Sequence, residues 1–319
     1  MKRCKIISAL LLLSAAVSLC SCGAGQPVQT AALTEKAETE ARIEITETEA
    51  PTEEPTEEPT EAPTEEPTEA VTEISGFERL IASGAELEYT AKRKFFMNAQ
   101  TVNGTNYRQA QGGCTDGRYM YFVMNDTKSE NSMTLIYKFA IGAKKPEQVS
   151  EPLQLDHAND MTYNPKTGQL IVVHNAPNKK KISFVDPETL TVTGTGEVPN
   201  KIFSMQYNES RDRYVVGLAG GQNFAILDSE FKTVRKFEVE TTGYTTQGVD
   251  ADDGYIYFVQ YNENVVVIYD WEGQRVAVIP VKLTGCEPEC IFHADGKFYI
   301  GAAAGGLACY EITLGEKKN

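Results

Sequence analysis

From Glu86 to Leu314 the apolar positions come in short alternating runs cut by Gly, Asp and Asn turns. That is the period-two signature of β-strands, and no stretch with helical periodicity separates them. The runs repeat. A turn followed by an aromatic or β-branched strand reads DGRYMYFV from Asp116, TGQLIVVHN from Thr167, RDRYVVGLAGG from Arg211, DDGYIYFVQYN from Asp252 and DGKFYIGAAAGG from Asp295. Each is followed by a further strand that ends near an acidic residue: LIYKF from Leu135, ISFVD from Ile182, FAILD from Phe224, VVIYD from Val266 and LACYE from Leu307. A period of roughly 40 to 50 residues built from short strands predicts a β-propeller, each repeat a four-stranded blade around a central channel.

Fourth strands follow in four copies, such as TVRKFEVE from Thr233 and RVAVIPVK from Arg275. The fifth copy stops at Leu314, while an unmatched strand, LEYTAKRKFF from Leu87 to Phe96, precedes the first. The predicted fold is therefore an all-β, five-bladed propeller closed by an N-terminal strand, which removes the open edge a truncated blade would leave.

The chain before it has a different composition. Lys2, Arg3 and Lys5 precede an apolar run from Ile6 to Leu19, too short to span a bilayer comfortably, which predicts an export signal. Leu19, Cys20, Ser21, Cys22 and Gly23 resemble the lipobox of bacterial lipoproteins. The resemblance implies acylation of Cys22, with Cys20 the weaker competitor, and an extracytoplasmic protein held on the bacterial membrane by two acyl chains. From Thr30 to Ser75 the chain turns to Thr, Glu, Pro and Ala, with near-repeats starting at Thr52, Thr56, Thr60, Thr64 and Thr68. Regular prolines and repelling carboxylates predict a disordered, extended spacer with a reach on the order of 140 Å. The expected organisation is a signal at 1–22, a linker at 23–76 and the propeller at 77–319.

The spacer also explains the charge. It holds fifteen Glu against Lys36 and Arg42, so most of the formal −15 belongs to it and the propeller carries only about −5. No basic stripe suggests nucleic acid.

The repeats are similar to the YncE-like, senescence-marker-protein-like and glutamine-cyclotransferase-like propellers over about residues 86–314, a resemblance of architecture. In such folds the loops entering the innermost strands and those leaving the second strands gather at one mouth of the channel. The candidate binding residues there are Gln111, Asn125, His157, Asn159, Asp160, His174, Asn175, Gln247, Asn262, Glu287 and Glu289. Asn125, Asn175 and Asn262 form either a ring of ligand-facing amides or turns. Asp160, Glu289 and His157 are the candidate acids and bases. Asn159, Asp160 and Glu289 offer oxygen ligands that would suit Ca²⁺. His157 and His174 otherwise read as hydrogen-bonded loop histidines.

The segment TQGVDADDGYIYFV from Thr246 resembles the Thr-Gln-Gly strand entry of the glutamine cyclotransferases, and Gln111 and Gly112 repeat part of it. A Gln-Gly pair on an innermost strand also serves packing near the axis. Cys286 and Cys290 are spaced to clip a loop through a disulfide. GxSxG, HExxH and Walker-type glycine loops are missing, so serine hydrolase, zincin and P-loop readings lose support. The small-residue runs GLAGG near Gly217 and GAAAGG near Gly301 follow second strands, where they leave recesses open at blades three and five. The anchor, spacer and missing motifs favour a surface module that binds a glycan, peptide or protein partner. An extracellular propeller enzyme is the alternative.

Overall fold

The computed structural model describes residues 76–128, 132–283 and 285–317. The export signal, Cys22 and the Thr/Glu/Pro-rich spacer lie outside them. A short helix, α1 (Gly76–Ala82), leads into the first strand, β1 (Leu87–Asn98). Blade one holds β2 (Gln100–Val102), β3 (Thr105–Thr115), β4 (Tyr119–Asp126), β5 (Met133–Ala140), β6 (Gln148–Val149) and β7 (Leu153–Gln154). Blade two is β8 (Ala158–Asn164), β9 (Gln169–His174), β10 (Lys181–Val185) and β11 (Val192–Glu197). Blade three is β12 (Ile202–Asn208), β13 (Arg213–Leu218), β14 (Phe224–Leu227) and β15 (Thr233–Phe237). Blade four is β16 (Thr245–Ala251), β17 (Tyr255–Tyr261), β18 (Val265–Asp270) and β19 (Arg275–Pro280). Blade five takes β20 (Glu287–Ala294), β21 (Lys297–Ala303) and β22 (Gly306–Glu316), and β1 completes it.

All pairings within the blades are antiparallel, and the closure is the expected one. β1 runs along β22 from Leu87 opposite Glu316 to Asn98 opposite Gly306. Its buried Tyr89 and Phe95 enter two different interblade cores, each worth about 1.5–3 kcal/mol of apolar burial. Blade one departs from the regular pattern. Its outer strand is broken into β6 and β7, both pairing with β5, because Pro152 between them cannot donate to a ladder.

Turns repeat a second device. Asp116 accepts the amides of Arg118 and Tyr119 and, through its other oxygen, the Tyr121 hydroxyl at 2.8 Å. Asp252 does the same with Gly254, Tyr255 and Tyr257. The acids that end the third strands cap the following turns: Asp186, Asp228 and Asp270 each accept two backbone amides. Those repeated carboxylates are turn chemistry. Five apolar clusters sit between neighbouring blades, for example Phe122, Phe139, Phe292 and Leu307 between blades one and five. The innermost strands β3, β8, β12, β16 and β20 contact one another around the axis.

Candidate functional site at the entry mouth

Every innermost strand is bulged at the same level. Its register slips at Ala110/Gly113 in β3, Ala158/Asp160 in β8, Ile202/Ser204 in β12, Thr246/Val249 in β16 and Pro288/Cys290 in β20. A bulge leaves an extra residue unpaired and re-aims its side chain. Here the extra residues include Gln111, Asn159, Phe203, Gln247 and Glu289, one per blade, and all five line recesses at the mouth. Of the next residues, Gly112 and Gly248 let neighbouring backbones approach closely, Gly112 against Asp160 and Gly248 against Cys290. A Cβ on Gly112 would sit 2.2 Å from the Asp160 Cα, so only glycine lets blade one approach blade two this closely.

Asp160 occupies the space this creates. It is 2 % exposed, and its oxygens accept the amides of Met161 at 2.9 Å and Met205 at 3.1 Å, together with those of Gly113 and Val249. Burial pushes its carboxyl pKa up against the pull of these four amides. The carboxyl expected to serve as acid, base or calcium ligand at the mouth instead ties together equivalent backbone positions of four blades on the axis. Its lone pairs are spent on backbone.

Glu289 differs. It is 4 % exposed and lines a recess of about 300 Å³ with Gln109, Gln111 and Glu287. Among the described residues its carboxyl makes no hydrogen bond. Burial, and then the charge of Glu287, push its pKa well up. Glu287 is also raised by burial, opposed by a 2.7 Å hydrogen bond from the Gln247 amide. The Gln109 carbonyl oxygen there is buried without a partner. Ala303 and Gly305 form part of the rim, which accounts for the recess expected from the small-residue run of blade five.

The larger recess, about 630 Å³, opens between blades two, three and four and is bordered by Ala219, Gly220 and Gly221, the small run of blade three. Phe203 lies in its wall. A Cβ on Gly217 would come within 2.5 Å of that ring, so the glycine makes room for it. Asn159 donates to the Phe203 carbonyl at 2.8 Å and accepts from Asn175 at 2.7 Å. The amide of Gln222 donates to Thr242 and to the Tyr244 carbonyl. Gln247 borders this recess while donating to Glu287 in the other, so one hydrogen bond joins the two.

The remaining expected residues scatter. Asn125 is buried, donating to the Ala158 carbonyl at 2.8 Å and accepting from Thr134 at 2.6 Å, so it clamps blade one to blade two. Asn262 is an exposed turn residue with φ of 90°. Of the three amides only Asn175 faces a recess. His174 is fully buried between Asp156 at 3.0 Å and Ser183 at 2.8 Å, and burial lowers its pKa. It is a core histidine with both nitrogens used. His157 takes a left-handed φ of 60°, its Nδ1 is buried without a partner, and burial lowers its pKa against a hydrogen bond with the Lys128 backbone. It lines neither recess. Asn159, Asp160 and Glu289, grouped as oxygen ligands from the sequence, face the large recess, the axis and the small recess. Among the described residues no group of three or more His, Cys, Asp or Glu is placed to hold a metal. The cysteine clip is not formed: Cys290 packs against Phe122, Cys286 lies 3.2 Å from the Tyr310 hydroxyl, and no disulfide joins them.

Phe203 and Lys179 were not among the residues singled out from the sequence. Aligning the five bulges would have exposed Phe203, because it precedes Ser204 as Gln111 precedes Gly112 and Glu289 precedes Cys290. The opposite mouth holds a further pair, His293 with Asp250 at 2.7 Å, whose carboxylate raises the imidazole pKa to about 9.

No protein-family model matches the sequence, and no curated protein matches it. Solved structures do resemble it. Glutaminyl cyclase from Myxococcus xanthus superposes with a TM-score of 0.53 at 12 % identity, covering 73 % of this chain and 100 % of that one. A streptogramin B lyase gives 0.38 at 10 % identity, covering 68 % and 67 %. A catalytically inactive virginiamycin B lyase from Staphylococcus aureus, solved with quinupristin, gives 0.40 at 9 % identity, covering 71 % and 99 %. The likeness to the cyclase is one of fold.

Proposed function

We propose that this chain is a lipid-anchored extracytoplasmic propeller whose entry mouth binds a polar ligand presented outside the cell, with acylated Cys22 as the anchor and the Thr/Glu/Pro-rich segment as the spacer. One observation carries the reading. Five bulges at a single level aim four polar side chains and one aromatic into adjoining recesses. A scaffold alone needs none of them, whereas a site needs convergent polar groups with an apolar face. The test is calorimetric titration of the mature chain, with Cys22→Ser for solubility, against glycan and cell-wall peptide panels. Binding that Phe203→Ala and Gln247→Ala weaken and His293→Gln leaves intact supports the reading. Binding indifferent to both mouth variants places the ligand elsewhere.

A second reading rests on Glu289. A buried carboxyl without a hydrogen bond, next to a second carboxyl of raised pKa, is the arrangement that holds a proton above the usual carboxylate range. In this reading the small recess runs acid–base chemistry, with Glu289 as the acid and Glu287, held by Gln247, as its partner. Cyclisation of N-terminal glutamine is the first reaction to assay, by ammonia release. Turnover abolished by Glu289→Gln would establish it, and no turnover would leave the binding reading in place.

A further inference from the structure

The mouth is divided by charge. The small recess carries Glu287 and Glu289, whereas the residues lining the large one include no carboxylate at all. This is unexpected in a domain with an acidic balance. The one charged side chain in the large recess is Lys179, and among the described residues its ammonium has no hydrogen-bond or ion-pair partner.

Several of the other groups there offer donors. Asn159 and Asn175 each use one amide hydrogen and the carbonyl oxygen within the protein, leaving one hydrogen apiece. The Asn223 carbonyl oxygen accepts from Val239 at 3.1 Å, so its amide group is what remains to a ligand. Phe203 and Tyr244 supply the aromatic surface, and Val239 is the only aliphatic residue of the lining larger than alanine. Such walls leave a peptide side chain no deep apolar pocket. They suit a flat, hydroxylated ring that stacks one face on an aromatic and accepts hydrogen bonds along its edge.

We infer that the large recess takes a sugar carrying an anionic substituent, its ring on Phe203 and its anion toward Lys179, in a glycan of the surroundings. This rests on the reading of the mouth as a binding site and names the ligand class for it. Asn159 and Asn175 hold each other in one orientation, so their free hydrogens are fixed before the sugar arrives and little ordering is lost on binding. Water fills the rest, as is usual for polar sites.

The experiment uses the mature chain with Cys22→Ser and two matched pairs of probes: sialyllactose against lactose, and oligogalacturonate against its methyl ester. Calorimetry at low and raised salt reads Kd for each. The expected result is binding of at least one acidic probe roughly tenfold tighter than its neutral partner, an advantage that falls with salt, as an exposed ion pair requires. Lys179→Gln should remove that advantage while leaving neutral binding unchanged, Phe203→Ala should weaken both members, and His293→Gln, on the opposite mouth, should change neither. Circular dichroism confirms that each variant is folded. Equal affinity for acidic and neutral partners, or no binding of either pair, overturns the inference. If a peptide from the wider panel then binds through Phe203 and Gln247, the mouth reading survives without the sugar; if nothing binds there, both fail.

Discussion

Two buried carboxyls, Asp160 on the axis and Glu289 at the mouth, illustrate how environment divides labour among like residues. Asp160 is consumed by four backbone amides, so removing it leaves donors buried without an acceptor. Asp160→Asn, which keeps one carbonyl oxygen, should cost about 1–3 kcal/mol and Asp160→Ala, which leaves all the amides without it, more than that, read from urea midpoints. A fall common to ligand-free and ligand-bound protein would mark it as structural. Glu289 has no such partners, and its folded pKa is raised. A raised carboxyl pKa contributes stability that is complete below about pH 4, the unfolded value, and is lost as pH rises through the folded value. Glu289→Gln should therefore melt higher than the parent at neutral pH, with the gap closing toward pH 4. A melting temperature unchanged at neutral pH would mean that the carboxyl is well accommodated there. His293 obeys the same sign through the opposite charge. With a folded value of about 9 beside Asp250, its contribution is present below about pH 6.5 and lost as pH climbs through 9. Its side chain is 38 % exposed, so water screens the pair. The effect should be a modest decline in melting temperature across that window that His293→Gln removes.

The elements were legible because blades repeat. Strand alternation, Asp turns and the missing fourth strand of the last copy predicted the five sheets and their closure, and β1 pairs with β22 as the unmatched segment LEYTAKRKFF implied. That closure is testable: deleting residues 76–98 removes Tyr89 and Phe95 from two cores and bares the length of β22. An exposed long edge recruits other chains, so the truncated protein should elute as oligomers or aggregate, where an intact monomer peak would make β1 dispensable. The site was less legible. Gln111, Asn159, Gln247 and Glu289 reach the mouth as expected, but bulges invert which of two neighbours faces it, and register slips leave no mark in composition. Hence Asp160 was placed one position wrongly, at the mouth instead of the axis. His174 shows another limit: it sits at the end of β9, where a mouth loop was expected, yet Asp156 and Ser183 draw the ring inward. Phe203 escaped notice because an aromatic on an inner strand reads as core until its bulge is known.

At the scale of the whole propeller, direction follows from the chain's path. β20 runs from the mouth at Glu287 to the opposite face at Ala294, so antiparallel β22 ends on that opposite face and β1 begins there. Helix α1 agrees: Glu78 lies against Gly254 in the turn after β16, which is also on that face, and Ile81 packs into the core between blades four and five. The Lys317 amide bonds the Glu86 carbonyl at 2.7 Å, bringing both ends of the folded unit together. Helix α1, where the described residues begin, therefore lies at the face opposite the recesses. If Cys22 is the anchor, the pull of the membrane is applied behind the propeller and the mouth is free to meet ligands. Two insertions of a short biotin-acceptor peptide distinguish this arrangement. One goes in the Asn103–Gly104 turn of the β2–β3 hairpin beside the mouth, the other in the Asp295–Gly296 turn on the opposite face; both turns have positive φ and lie outside the strands. On intact cells an added biotin ligase should label the mouth turn faster while the spacer is short. Lengthening the spacer should equalise the two rates, since a longer tether lets the domain tumble away from the surface. Faster labelling at Gly296 would mean that the mouth faces the membrane, which would direct the search for its ligand to the cell's own envelope.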